Sequence, residues 1–111
     1  RALAVRGGAR GYFLASRDEA WQRAQRGERA GDLQRADLYR AGTRAVQASA
    51  EVVRLVADAA GATSMWRSHP LERVVRDMEA LRHHGFANES RYGSVAQVYW
   101  GAELDYPLLL R

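Results

Sequence analysis

The sequence predicts an all-α fold, an up-down helical bundle in which two long helices precede two shorter ones. Apolar residues recur at steps of three and four between residues 41 and 59, which is the spacing of one helix face. The two prolines, Pro70 and Pro107, leave the first 69 residues free of this helix breaker. No stretch alternates apolar and polar residues over the length of a useful strand. A chain of 111 residues is expected to form one domain.

Residues 2–26 are expected to form the first helix, because they contain many alanines and no proline. They also contain Gly7, Gly8 and Gly11, each of which weakens a free helix by about 1 kcal/mol relative to alanine. Such a cluster survives in a helix mainly where another backbone approaches closely. We therefore expect a tightly packed surface at these glycines, followed by a polar loop over residues 26–31.

Residues 32–60 are expected to form the second helix, with Asp32 as its N-cap and Gly61 as its stop. Small apolar residues form one stripe along it: Ala41, Ala45, Ala48, Val52, Leu55, Val56 and Ala59. A helix of this length spans about 45 Å, and its alanines allow a neighbouring helix to approach closely.

The two shorter helices are predicted from their start and stop signals. Ser68 and Pro70 suit the start of the third helix, which is expected to end near His84 and Gly85. Its apolar face comprises Leu71, Val74, Val75, Met78 and Leu81. The fourth helix is expected over 89–100, capped by Asn88 and stopped by Gly101, with Tyr92, Val95, Ala96 and Tyr99 facing inward. The leucine-rich tail after Pro107 is expected to dock on a neighbouring surface.

Composition excludes several classes of protein. The longest uncharged stretch, residues 92–102, is about half the length of a membrane helix, and no signal peptide opens the chain. Without cysteine there is no disulfide, no thiolate nucleophile and no cysteine-based zinc site. A cytoplasmic location fits this composition. Because the chain starts with Arg1 and not with methionine, we expect it to be a piece of a longer protein.

Charge is uneven along the chain, whose net charge is +4. Residues 1–44 carry ten arginines against five acidic residues, and residues 45–111 carry seven against eight. A helical module that binds nucleic acid or another protein is therefore one hypothesis. Acidic residues interrupt the basic half throughout, however, which favours a solvated or interdomain surface.

The three histidines are the main candidates for chemistry. His83 and His84 are adjacent on a helix, so their side chains diverge by about 100° and do not chelate one metal together. His69, before a proline, is expected to be a surface residue. A histidine beside glycine at a helix end is commonly structural, but it also holds or passes protons near neutral pH.

One segment of the chain runs Pro70-Leu71-Glu72-Arg73-Val74-Val75-Arg76-Asp77. The small-residue stretch 60–68 precedes it, and His84 follows seven residues after Asp77. This pattern resembles a known family. It is similar to the C-terminal helical domain of the acyl-CoA dehydrogenase fold, in the branch of two-component flavin-dependent monooxygenases. Glu72 stands where glutamine is usual. The resemblance covers most of the chain, since both long helices also fit that domain.

This resemblance implies a longer flavoenzyme, with an N-terminal helical domain and a flavin-binding β domain before Arg1. Such enzymes receive reduced FMN or FAD from a separate flavin reductase and hydroxylate an aromatic or polycyclic substrate through a flavin C4a-hydroperoxide. By position, His84 is the catalytic residue facing flavin and substrate. Trp66 is a further candidate for the cofactor, and Met65 and Gly85 are candidates for the substrate. The resemblance also implies a homodimer or homotetramer, with helix 32–60 as a suitable contact surface.

An acyl-CoA dehydrogenase or oxidase is the alternative within the same fold. Many such enzymes carry a catalytic glutamate eight residues after the equivalent of Asp77. Here that position is Gly85, which has no side chain. The resemblance therefore favours the monooxygenase branch.

Overall fold

The computed structural model describes residues 1–62, 66 and 68–110. Within them the backbone forms four α-helices and a terminal 3₁₀ helix, and no strand, as the sequence predicts. The elements are α1 (Ala2–Gln25), α2 (Asp32–Ala60), α3 (Pro70–Arg82), α4 (Ser90–Trp100) and the 3₁₀ helix Pro107–Leu110. None of the described helices is both long enough and apolar enough to cross a membrane.

Helix α2 is the centre of the fold, because α1, α3, α4 and the 3₁₀ helix all pack against it. The predicted stripe lies on the α1 side, where Ala45, Ala48 and Val52 face Ala9 and Phe13 across a groove. Its last two members, Val56 and Ala59, are exposed, so the predicted stripe is wrong at that end. A second buried stripe, not predicted from the sequence, follows steps of seven, four, three and seven: Ala36, Thr43, Gln47, Ala50 and Ala57.

The prediction of a close backbone approach at the α1 glycines is wrong. Gly7, Gly8 and Gly11 are exposed, and a Cβ added at any of them would meet no atom within 4 Å. The buried residue of α1 is Ala9, which lies on the face that meets α2. The glycines lie on a different face of the helix, because residues 7, 8 and 11 are offset from residue 9 around the helix axis.

The starts of α2 and α3 differ from prediction. Gly31 is the N-cap of α2, and its N–H donates to the Gln34 side chain at 2.9 Å, so Asp32 is already the first helical residue. His69 replaces Ser68 as the N-cap of α3, because its Nδ1 accepts from the Leu71 N–H at 3.1 Å. His69 is therefore a structural cap and half-buried.

The ends of the shorter helices follow prediction more closely. Helix α3 ends at Arg82, two residues before the predicted end. The Asn88 side chain accepts from the Ser90 N–H at 3.0 Å, which confirms its role at the start of α4, although Glu89 occupies the N-cap position. Gly101 ends α4, as predicted, and it adopts the left-handed conformation with φ of 66°.

The tail docks on α2 and α4, as predicted. Leu109 is buried against Ala36 of α2 and Val95 of α4. The Arg35 guanidinium donates to the Leu110 carbonyl at 2.6 Å, which ties the end of the tail to α2. The inward position predicted for Tyr99 is wrong, since its side chain is exposed. Its hydroxyl donates to Asp37 of α2, and the Arg40 guanidinium of α2 lies 5.8 Å from the centroid of its ring.

Candidate functional site

His84 lies in the turn between α3 and α4, which we call the His84 loop (residues 83–89). The loop exists because α3 ends at Arg82 and α4 begins at Ser90. The His84 side chain is exposed, and so is that of Phe86, whose ring retains 58% of its accessible surface. The loop therefore presents an imidazole and an aromatic ring on the surface of the domain.

Local hydrogen bonds shape this loop. The His84 carbonyl accepts from the N–H groups of Ala87 and Asn88, both at 2.9 Å. The His84 Nδ1 accepts from the Phe86 N–H at 3.2 Å, and the two rings lie with centroids 4.9 Å apart. In a neutral imidazole one nitrogen accepts and the other donates. Acceptance at Nδ1 therefore favours the tautomer that carries its proton on Nε2.

Helix α2 holds the His84 loop from beneath. The Gln47 side-chain amide donates to the Arg82 carbonyl at 3.0 Å and to the Ala87 carbonyl at 2.7 Å. The Tyr39 hydroxyl donates to the Phe86 carbonyl. Both side chains come from the central helix, so the loop is fixed to the part of the fold that every other element contacts.

A chain of aromatic rings extends from the loop toward the C-terminal tail. The Phe86 ring lies 6.5 Å from that of Tyr106, which in turn lies 6.1 Å from that of Tyr39, both pairs edge to face. The Arg91 guanidinium stacks on the Tyr106 ring at 4.0 Å. Burial among these groups raises the pKa of Tyr39 to about 12. The phenol therefore keeps its proton to higher pH than an ordinary tyrosine, and this proton is donated to the Phe86 carbonyl.

The space around His84 is open. A Cβ added at Gly85 would meet no atom within 4 Å. Beside the loop, a shallow groove of about 290 Å³ runs along α2 and is lined mainly by apolar groups: Tyr39, Gly42, Thr43, Val46, Phe86 and Ala87. Phe86 and Ala87 of the loop line this groove, whereas the exposed side chain of His84 does not.

Of the other residues predicted for the site, Gly85 lies beside His84 in the loop, and Trp66 lies at the opposite end of α3. Trp66 precedes α3 and His84 follows it, and the 13 residues of this helix span about 20 Å. Trp66 is exposed, and Met65 lies outside the described residues. His83 and His84 lie in the turn after α3 and not on the helix as predicted, and the His83 Nε2 lies 3.8 Å from the Glu79 carboxylate. The described residues contain no group of three or more side chains suited to a metal ion.

Sequence reasoning missed Gln47, Tyr39 and Phe86, which hold or flank His84. One signal for Gln47 was present in the sequence. It lies four residues after Thr43 and three before Ala50, so it shares a helix face with small residues. A long polar side chain on such a face indicates a buried hydrogen-bonding role, because interiors rarely hold an unpaired amide.

The four helices packed on the central α2 fit the C-terminal helical domain that the sequence resembles, and the His84 loop follows the segment that carries the resemblance. Residues 1–89, which include that loop, match the family described as acyl-CoA dehydrogenase, C-terminal domain. The match covers most of the chain, and the chain therefore belongs to this family. The resemblance carried by Pro70–Asp77 and His84 is confirmed.

One relative within this fold is an indole-3-acetate monooxygenase from Pseudomonas putida. It is 27% identical over 96 residues, which cover 86% of this chain and 24% of the relative. The chain thus spans about a quarter of the length of that enzyme.

Proposed function

We propose that this chain is the C-terminal helical domain of a longer reduced-flavin-dependent monooxygenase that hydroxylates an aromatic or polycyclic substrate. Similarity to an enzyme named for the monooxygenation of an indole acid supports the reaction and the substrate class. The geometric observation that carries the proposal is the His84 loop, which presents an exposed imidazole whose Nδ1 accepts from the Phe86 N–H. Gly85, where many dehydrogenases carry their glutamate, favours the monooxygenase over an acyl-CoA dehydrogenase.

The residues of the loop fit one side of a flat aromatic cofactor such as reduced FMN or FAD. The imidazole of His84 and the exposed ring of Phe86 offer a polar nitrogen beside an aromatic surface, with centroids 4.9 Å apart. The open position at Gly85 leaves room for a ring system. Since no wall faces this surface within the described residues, the domain alone is expected to bind flavin weakly or not at all.

Bound reduced flavin would supply the electrons with which molecular oxygen is activated for insertion into the substrate. The contribution of this chain is a hydrogen bond. With Nδ1 held by the Phe86 N–H, the neutral His84 ring donates from Nε2 to an oxygen of the flavin or of the substrate. Accepting a proton from a phenolic substrate would use the lone pair of Nδ1 and would therefore break the hydrogen bond from the Phe86 N–H. We therefore favour the donor role of His84 over a role as general base.

The assembly belongs to the same proposal. We infer a homodimer or homotetramer in which the long helix α2 contributes to subunit contacts, and a separate flavin reductase as the source of reduced cofactor. A cytoplasmic location and contacts from Trp66, Met65 and Gly85 to cofactor or substrate remain predictions.

The test is replacement of His84 in the complete enzyme. In His84→Ala the ratio of hydroxylated product to released hydrogen peroxide is expected to fall about tenfold or more. This is the effect of losing one hydrogen bond to an oxygen that carries or develops negative charge. His84→Gln keeps an N–H donor without a titratable base and is expected to recover part of this ratio.

His83→Ala is the matched control, because His83 is the adjacent exposed histidine and its Nε2 lies 3.8 Å from the Glu79 carboxylate. It is expected to leave the ratio unchanged. Unchanged coupling and turnover in His84→Ala would refute the role of His84. A loss in His84→Gln as large as in His84→Ala, with an altered pH profile, would assign a base instead of a donor.

A further inference from the structure

The side chain of Gln47 is a buried amide that points from the central helix to the loop carrying His84. Gln47 retains 8% of its accessible surface. Its amide nitrogen carries two hydrogens, and two carbonyls receive them, Arg82 at 3.0 Å and Ala87 at 2.7 Å. Both donor positions of this nitrogen are therefore used on one short segment of the chain.

The two carbonyls need a donor from elsewhere for a simple reason. Arg82 is the last residue of α3, and the final carbonyls of a helix have no N–H of their own helix to pair with. Ala87 is buried, and the backbone hydrogen bonds described for the loop use its N–H but not its carbonyl. A carbonyl left unpaired in such a place is costly, and Gln47 supplies the missing donor.

The positions of these carbonyls bracket His84. Arg82 lies two residues before it and Ala87 three residues after it, so Gln47 holds both ends of the segment that carries the imidazole. Tyr39 adds a third bond, to the Phe86 carbonyl. Because His84 itself is exposed, its place relative to any ligand depends on how firmly this segment is held.

We propose that Gln47 is a positioning residue that fixes the His84 loop to α2 through the Arg82 and Ala87 carbonyls and thereby sets the place of the His84 imidazole. The consequence for the reaction rests on the proposed function of His84. Misplacement of a catalytic group by about 1 Å lowers a rate by about 100-fold, so an anchored backbone matters even where the side chain is exposed.

The test compares two identical substitutions on one helix in the flavin-loaded enzyme that contains this domain. Gln47→Met keeps the length of the side chain and removes its donors. Gln34→Met is the matched control, because Gln34 also makes a side-chain bond to backbone, to the Gly31 N–H at 2.9 Å, at the far end of α2. Amide hydrogen exchange over residues 83–89 and the ratio of product to peroxide are measured in both.

In Gln47→Met, exchange over the His84 loop is expected to rise about tenfold or more, since two anchoring bonds are lost, and exchange in α1 is expected to stay unchanged. The product-to-peroxide ratio is expected to fall toward that of His84→Ala. Gln34→Met is expected to alter neither quantity. Tyr39→Phe, which removes only the bond to the Phe86 carbonyl, provides a milder second variant, with a smaller rise in exchange confined to the loop.

Loop exchange that is the same in Gln47→Met and Gln34→Met would overturn the proposal. If Gln47→Met does not fold, Gln47→Leu, which also lacks the amide donors, replaces it in the same comparison, and unchanged loop exchange there would overturn the proposal equally. Faster exchange with normal coupling, where His84→Ala uncouples, would also overturn it while leaving the proposed function intact. If His84→Ala itself has no effect, the proposed function fails, and the exchange data alone decide whether Gln47 holds the loop.

Discussion

Replacing Leu109 with alanine should release the C-terminal tail from the domain. Leu109 retains 4% of its accessible surface and packs with Ala36 and Val95 in the core. Burial of this kind makes Leu→Ala cost about 2–5 kcal/mol, counting lost transfer free energy and the cavity left behind. Because the residue lies in a short terminal 3₁₀ helix that can partly collapse into the space, we expect the lower part of this range, about 2–3 kcal/mol.

Urea unfolding followed by circular dichroism measures this loss. With a slope of about 1–3 kcal/mol per molar urea, this loss should lower the midpoint by about 0.7–3 M. Leu108→Ala is the matched control, since Leu108 lies in the same 3₁₀ helix with 49% of its surface exposed. It should cost less than about 1 kcal/mol. Equal losses in the two variants would refute the docking of the tail through Leu109.

Two further predictions concern stability. Gly8→Ala should raise the free energy of unfolding by about 0.5–1 kcal/mol, because Gly8 is an exposed helical glycine with open space around it. A lower free energy of unfolding in Gly8→Ala would contradict this description of its surroundings. Gly101→Ala, at φ of 66°, should lower the free energy of unfolding in the same urea titration. Since burial raises the pKa of Tyr39 to about 12, its contribution to stability is complete below about pH 10 and is lost as pH rises toward 12, because the unfolded chain then holds fewer protons than the folded one. Unfolding measured across this range should therefore show a steeper loss in the parent chain than in Tyr39→Phe, and equal slopes would count against the burial of this phenol.

Much of the architecture could be predicted from residues close together in the sequence. Helical spacing over 41–59, the stop at Gly101 and the contribution of Asn88 to the start of α4 all depend on neighbours within a few residues. Local signals were less reliable where two neighbouring residues compete for one role. Gly31 caps α2 in place of Asp32, because the Gln34 side chain reaches its N–H.

The candidate site was predicted only at its centre. The family motif pointed to His84, but neither spacing nor composition indicated that Trp66 lies at the other end of α3. The glycines of α1 gave a wrong expectation for a related reason. A glycine shows that close approach is possible, and only the rotation of the helix against its neighbour decides whether it occurs.

The order and extent of the helices follow from the sequence itself, since each helix depends on side chains and caps within one or two turns. The anchoring of the His84 loop depends on tertiary packing, because Gln47 meets carbonyls 35 and 40 residues further along the chain. The Arg82 carbonyl lacks a partner within its helix because α3 ends there, and the Ala87 carbonyl lies in the loop that follows; a buried donor on a facing helix can satisfy both. The packing of α3 and α4 on α2 makes Gln47 that donor, and the periodicity of the local sequence does not determine this choice.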